Sequence, residues 1–389
     1  MKIAMIQTPL IHSTGAERHT LRLAIELQKK GHWVEIFTND VDSQKCFPEL
    51  ISKVKINVAP CPINFRRFRY YKALLGMREI GKELAKKDFD IINNHVFPSE
   101  WAVYFAKRRR NVPAVWMCHE PPFWFFQPAE RKGKSKIYWP LFEIFDRISV
   151  KSINKILVRS NLMKNMVKKI YHRDSMVVRD VIDGEQFENI FGQSFKKKYQ
   201  LENSFILLQV GTLIHYKRQG DSIKALNLLS KKYKNLKLIF IGVEYQEYKK
   251  NLINLIKKYG LEDKILFLGP VPDEELKQAY AACDLFLFPA FQSWSLVAME
   301  AMVSKKPVIV SNRCGISEII ANNRNGFVVD HTNYQKIAKN IELLINNEGL
   351  RKEIGLNAYK CIKENFSSWE NYAENMEKIF KNVKSDFEK

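Results

Sequence analysis

The sequence predicts an α/β protein of two separately built halves, each with a parallel sheet, and three observations carry that reading. The chain has 389 residues, 46% apolar and 27% charged, an ordinary globular mixture with length for two domains. Short apolar, partly β-branched runs alternate with amphipathic helical stretches, the rhythm of parallel strands joined by crossover helices. The rhythm restarts after about residue 200 without any repeat of fixed period, which excludes a solenoid.

In the first half, strands are expected at 2–7 (KIAMIQ), 33–38 (WVEIFT), 91–93, 113–118 (PAVWMC) and 155–158, with a helix over 17–30. Residues 179–200 open on the turn-like Asp183-Gly184, continue polar and strand-poor, and read as a linker. In the second half, strands are expected at 205–210 (FILLQV), 237–242, 265–268, 284–288 and 307–310, with helices at 219–233, 245–259, 273–282 and 295–304. Ligands of open parallel sheets bind beyond the carboxyl ends of the strands. Functional residues are therefore expected just after strands, in a cleft between two facing halves.

Lys and Arg number 63 against 42 Asp and Glu, a formal +21, of which +14 falls in residues 61–180. Such an excess calls for an anionic partner: nucleic acid, a membrane surface or a phosphorylated substrate. Within that segment, Arg66-Arg67-Phe68-Arg69-Tyr70-Tyr71-Lys72, Lys107-Arg108-Arg109-Arg110, and Phe123-Trp124-Phe125-Phe126 followed by Arg131-Lys132-Gly133-Lys134-Ser135-Lys136 interleave cations with aromatics. That combination suits an anionic bilayer surface. A lysine-rich solvated face and single-stranded nucleic acid are the competing readings, and no recognised nucleic-acid module appears. Cys46, Cys61, Cys118, Cys283, Cys314 and Cys361 lack the spacing of a zinc cluster or a redox dithiol, which fits a reduced, cytoplasmic compartment. No run approaches the roughly 18–20 apolar residues of a membrane span, and the apolar start ending at Pro9 and Leu10 is short for a signal peptide. A soluble or peripherally attached protein is expected.

After the first strand, Ser13-Thr14-Gly15-Ala16-Glu17-Arg18 leads into a helix. A glycine there lets backbone amides approach a phosphate, and is equally ordinary turn chemistry. Neither G-x-G-x-x-G nor a Walker lysine motif occurs. After 205–210, Gly211-Thr212 begins a glycine turn that reaches Lys217 and Arg218, an arrangement suited to a diphosphate; by themselves the two cations read as a solvated helix start. The densest segment runs from Asp284 to Glu318. A strand ends at Pro289, a loop carries Gln292, a helix from about Ser295 presents Glu300, and a second strand ends near Val310 before a turn leading to Glu318.

This segment resembles the family 4 glycosyltransferases of GT-B fold. Leu296-Val297 and Glu300-Ala301-Met302 match, while Gln292 stands where that family commonly has Glu and Ser295 where it commonly has Gly. Gly15-Ala16-Glu17-Arg18 resembles the family's N-terminal glycine loop with Thr14 for its first Gly. Val210-Gly211 through Lys217 resembles its diphosphate loop, with Thr212 where Arg is frequent. Phe267 to Leu276, including Val271, is similar to the segment preceding the sugar site, and Phe366 to Trp369 to the closing helix. The resemblance implies an α/β GT-B fold: a Rossmann-like acceptor-side domain over 1–185, a Rossmann-like nucleotide-sugar domain over 186–365 facing it across a cleft, and a helix over 366–389 crossing back toward the first.

It also implies retaining transfer of a hexose from a GDP- or UDP-linked donor to a glycan or lipid-linked acceptor, in surface polysaccharide, glycolipid or glycoprotein assembly, with no metal or other cofactor. Lys217 and the backbones of Gly15 and Gly211 would stabilise the diphosphate, with Arg218 standing in for the Arg absent at Thr212. Glu300 would accept hydrogen bonds from the ribose, and Val271, Gln292, Ser295 and Leu296 would line the donor. Gln292 binds hydroxyls but carries no charge to act as base or nucleophile, which favours a front-face mechanism. His119, in Trp116-Met117-Cys118-His119-Glu120-Pro121-Pro122, resembles the family's histidine near the reacting sugar, and this stretch looks somewhat like that of mannosyltransferases. Glu318 would shape the phosphate-side loop; His12 and His95 also follow strands. The competing enzyme reading is a single-site GT-A transferase holding a metal at Asp40-Val41-Asp42 or Asp88-Phe89-Asp90, which leaves 205–320 without a role. The non-enzymatic rival is a basic nucleic-acid- or membrane-binding protein; nucleic acid is not the expected partner.

Overall fold

A computed structural model describes residues 1–11, 14–60, 69–122 and 139–389. His12, Ser13, Arg66 to Phe68 and the run from Phe123 to Lys136 lie outside the described residues. The chain divides into two units, Met1–Asp180 with Trp369–Lys389, and Val181–Ser368.

In the first unit the apolar runs become strands buried on both faces, as a parallel sheet covered by helices requires: Ile3, Ala4, Met5, Ile6, Val115, Trp116 and Met117 are fully buried. The strands are β1 (Lys2–Ile6), β2 (Trp33–Thr38), β3 (Lys55–Val58), β4 (Ile91–His95), β5 (Ala114–Cys118), β6 (Lys155–Val158) and β7 (Met176–Val177). They form one parallel sheet of order β3-β2-β1-β4-β5-β6-β7. The helices are α1 (Gly15–Lys29), α2 (Pro48–Ile51), α3 (Arg69–Ala85), α4 (Ser99–Lys107), α5 (Trp139–Lys151) and α6 (Asn161–Tyr171). Ser160 caps α6 by accepting from the Met163 amide at 3.2 Å.

In the second unit α7 (Gln193–Lys198) precedes β8 (Phe205–Val210), followed by α8 (Gln219–Ser230), β9 (Leu236–Ile241), α9 (Gln246–Tyr259), β10 (Ile265–Phe267), α10 (Asp273–Ala282), β11 (Leu285–Phe288), α11 (Leu296–Val303), β12 (Val308–Ser311), β13 (Phe327–Val329), α12 (Tyr334–Asn346) and α13 (Glu348–Asn365). Its six strands run parallel in the order β10-β9-β8-β11-β12-β13. The final helix, α14 (Trp369–Glu388), belongs to the first unit, burying Trp369, Tyr372, Ala373, Met376 and Phe380 there. Its Tyr372 hydroxyl lies 2.9 Å from His19 Nε2 on α1.

Three expectations change. The edge strands β3, β7 and β13 were not legible, because two to four residues make too short a run to show a period. The chain passes from one unit to the other at Asp180–Val181, inside the expected linker 179–200, but the stretch beyond is packed: Phe187 and Phe195 enter the core of the second unit, and a Cβ on Gly192 would lie 2.4 Å from the Ala282 backbone. Two parallel sheets also overturn the single-site GT-A reading, and its carboxylates have structural partners. Asp88 pairs with Arg110, Asp90 accepts from the Lys2 amide and the Lys384 ammonium at 2.6 Å each, and Asp42 accepts from the amides of Gln44 and Lys45.

Candidate functional site

The order of the second sheet reverses beside β8, whose neighbours are β9 and β11, so the carboxyl ends of β8 and β11 open at a topological switch point. Gly211 leaves β8 there with φ +144°, a conformation open to glycine, and its amide donates to the Ile241 carbonyl at 2.8 Å. Gly242 is packed so closely that a Cβ would lie 2.5 Å from the Gly211 oxygen. This pair of glycines sets the path of the loop toward Lys217.

Lys217 sits in the single turn His215–Lys217. Its ammonium donates to Gln292 Oε1 and lies 5.0 Å from the Phe288 ring centre. Its carbonyl accepts from Gln209 Nε2 at 2.8 Å, and Gln209 Oε1 accepts from the Ser222 hydroxyl at 2.7 Å. Gln209 is a lone polar residue in the buried run FILLQV, a signal the sequence carried and the reading passed over. The Gln292 loop is stitched on both sides: the Phe291 amide donates to the Tyr216 carbonyl at 2.9 Å, and the Gly315 amide to the Gln292 carbonyl at 2.9 Å. The expected Lys217 and Gln292 therefore meet, and the turn Gly315–Ile319 carrying Glu318 is joined to the same loop.

Arg218 begins α8 with φ +60° and holds Asp221 through Nε at 2.7 Å and Nη2 at 2.6 Å. Thr212 offers its carbonyl to Gln219 Nε2 at 3.1 Å. Ser295 caps α11, accepting from the Ala298 amide at 3.2 Å, so its hydroxyl serves the helix. Glu300, 8% exposed on α11, accepts from the Tyr280 hydroxyl at 2.8 Å. Tyr280 was not foreseen, because nothing local announces a pairing across twenty residues. Leu296 and Val271 are partly buried against the core of this unit.

Gly15 and His119 belong to the first unit, where Gly15 opens α1 behind Thr14. His95 ends β4 and His119 follows the neighbouring strand β5; His19 reaches them from α1. His95 Nδ1 is 3.3 Å from His119 Nε2, and the Asn93 side-chain Oδ1 is 2.8 Å from His95 Nε2. His19 Nε2 lies 3.2 Å from Asp180, which pairs with Arg159 at 2.9 Å. Burial, and then the Arg159 charge, push all three histidines below their ordinary pKa, His95 to about 3, so the rings are neutral at pH 7. Burial lifts Asp180 to about 6 although Arg159 opposes it. The sequence indicated His95 and His119 at strand ends; it did not indicate His19, Arg159, Asp180 or Tyr372, which only the packing collects.

Two family models match the chain: glycosyl transferases group 1 over residues 192–361, and glycosyltransferase family 4 over residues 13–183. An uncharacterized glycosyltransferase of Methanocaldococcus jannaschii is 26% identical over 98% of this chain and 98% of its own length. The alpha-1,3/1,6-mannosyltransferase ALG2 of Dictyostelium discoideum is 22% identical over 95% of each. Among solved structures, HepE of Anabaena in complex with UDP and glucose superposes with a TM-score of 0.80 at 18% identity, covering 98% of this chain and all of that one. Sucrose-phosphate synthase of Thermosynechococcus elongatus gives a TM-score of 0.82 at 16% identity, covering 99% of each chain. At such identities the structural likeness shows the fold.

Proposed function

The chain belongs to the family 4 glycosyltransferases of GT-B fold, and from that premise we propose that it moves a hexose from a GDP- or UDP-linked donor to a hydroxyl of a glycan or lipid-linked acceptor, retaining the anomeric configuration. The observation that carries this reading is the Lys217 ammonium paired with the Gln292 amide at the switch point of the second sheet. A fixed cation there meets the charge that builds on the diphosphate as the sugar leaves, which lowers the barrier more than it tightens ground-state binding. Gln292 orients that cation and offers its amide to sugar hydroxyls. Glu300, steadied by Tyr280, accepts from the ribose, while Gly211 offers backbone to the phosphates and Val271, Ser295 and Leu296 border the donor.

With an amide at position 292, no carboxylate there forms a covalent intermediate. The bond from C1 to the diphosphate oxygen breaks, the acceptor oxygen bonds to C1 on the same face, and the acceptor proton passes to the departing phosphate. The donor step needs no metal, so turnover is expected to be unchanged in chelator. UDP and glucose bound to HepE, and the mannosyltransferase relative, support a nucleotide hexose without choosing between the two nucleotides.

The acceptor is proposed to be reached at the cytoplasmic face of a membrane. Among the described residues no helix is long and apolar enough to cross a bilayer. In the first unit, α5 exposes Leu141, Ile144 and Ile148, spaced three and four apart on one helix face, and Arg78, Arg108 and Arg109 line a hollow with Phe105. Apolar anchors with cations suit an anionic bilayer. A panel of nucleotide sugars scored by donor hydrolysis and thermal shift tests the donor reading. One hexose donor that is both hydrolysed and stabilising is expected, and no response to any of them rejects it.

A further inference from the structure

β4 is unlike its neighbours in the first sheet. Its last three residues, Asn93, Asn94 and His95, are polar and fully buried, whereas the buried residues of β1 and β5 are all apolar. Buried polar groups persist where each has a partner. Asn94 Nδ2 donates to the Ser99 hydroxyl at 3.0 Å, which ties β4 to the start of α4. Asn93 and His95, two apart on one face of the strand, lead elsewhere.

Their hydrogen bonds run in one direction. Asn93 Nδ2 donates to the Val115 carbonyl on β5 at 3.1 Å, so Oδ1 is the atom 2.8 Å from His95 Nε2. An amide oxygen only accepts, so His95 carries a proton on Nε2. Burial and the Arg159 charge keep His95 neutral, and a neutral imidazole holds one proton. His95 Nδ1 is therefore a lone pair, and it faces His119 Nε2 at 3.3 Å. Only an N–H on that atom can meet it. His119, kept neutral by the same causes, is left with its own lone pair on Nδ1. No hydrogen bond from a described residue reaches that nitrogen, and it is not sealed from solvent as His19 Nδ1 is.

We infer that Asn93 and His95 are positioning residues for His119: a relay from the Val115 carbonyl that commits His119 Nε2–H inward and offers Nδ1 to the reacting sugar as a hydrogen-bond acceptor. The inference rests on His119 standing at that sugar, the role its resemblance implies. His19 steadies the ring plane, standing at 89° to His119 with ring centres 5.9 Å apart. The polarity suits the reaction. Positive charge grows at the anomeric carbon as its bond to the diphosphate stretches. A sugar hydroxyl that gives its hydrogen to Nδ1 turns an electron-rich oxygen toward that charge, while an N–H in the same place would oppose it. An unrestrained neutral histidine samples both tautomers, and the relay removes the wrong one before the donor arrives.

The test reads the tautomers directly, on the full chain with ¹⁵N in its histidine rings, where nitrogen shifts separate protonated from bare ring positions. Signals are assigned by their loss in His95→Gln and His119→Gln. Expected at pH 7 without ligand are protons on Nε2 of both His95 and His119, and a proton on Nδ1 of either ring overturns the relay. Turnover gives the second readout. His95→Gln keeps the polarity, its amide donating to Asn93 and accepting from His119, and should lose less than about fivefold in kcat. His95→Leu breaks the chain and should lose roughly 10–100-fold in kcat, with the donor KM moved less than about threefold. Equal losses in the two variants, as a packing role would give, overturn the relay, and so does an unimpaired His95→Leu. The nitrogen shifts need no donor, so a chain with both protons on Nε2 that transfers no hexose fails in its sugar reading alone.

Discussion

Lys217 depends on neighbours more than on its own sequence position. Its carbonyl is held by Gln209 and its ammonium by Gln292, so a flexible side chain is aimed before any ligand arrives. Lys217→Ala should lower turnover by roughly 10²–10³-fold, the loss typical of one preorganised electrostatic donor, with a smaller change in nucleotide affinity measured by calorimetry. Equal losses in both would make it a ground-state binder. Glu35 illustrates a stability role: burial works against its ionisation, yet Lys87 at 2.5 Å, Trp33 and Lys55 at 3.0 Å, and Asn57 at 2.9 Å hold its pKa at about 2 against an ordinary 4.5. A depressed folded-state pKa contributes stability fully present above about pH 4.5 and lost as pH falls through about 2. Glu35→Gln should therefore cost about 2 kcal/mol at pH 7 and flatten the acid limb of the stability profile between those values, read by denaturant unfolding against pH. Residue types were legible where the chemistry is local, as with Gln292 and Glu300. Their aim was not, because Tyr280 and Gln209 act through contacts that no short window contains.

At the scale of elements, the long periodic segments were readable. The helix expected at 273–282 is α10 to the residue, and 219–233 ends three residues early at Ser230, where the Tyr233 amide turns to the Leu229 carbonyl. Edge strands escaped because β3 is partly exposed and pairs along one side, leaving no continuous apolar run. Helix packing has its own sharp points. Gly355 in α13 lies against the chain after α11, and a Cβ there would stand 2.2 Å from the Lys305 carbonyl oxygen. Gly355→Ala gains helix propensity yet should destabilise by about 1–3 kcal/mol, since backbone must move. A lowered urea midpoint at unchanged slope checks it, and a raised midpoint would mean that propensity wins.

At the scale of the whole molecule, the +21 charge divides by role. Few cations serve the donor, while +14 falls in residues 61–180. Flotation with vesicles containing anionic lipid should carry the protein upward, and replacing Leu141, Ile144 and Ile148 together by Ser should reduce binding at least several-fold without lowering Tm, since all three are exposed. Equal flotation on neutral vesicles, or a salt-sensitive nucleic-acid shift in its place, would reject the membrane reading. By itself the sequence determined the α/β class, the doubled rhythm of strands and the strand-end positions of Gly211, Gln292, His95 and His119, because periodicity and turn chemistry act over a few residues. Only the tertiary structure decided that Phe187 and Phe195 of the 179–200 stretch enter the core of the second unit, that Tyr280 steadies Glu300, and that His19, Asp180 and Tyr372 gather around His95 and His119. Parallel strands need long crossovers, so the groups that meet at a sheet's carboxyl edge are those the chain keeps far apart.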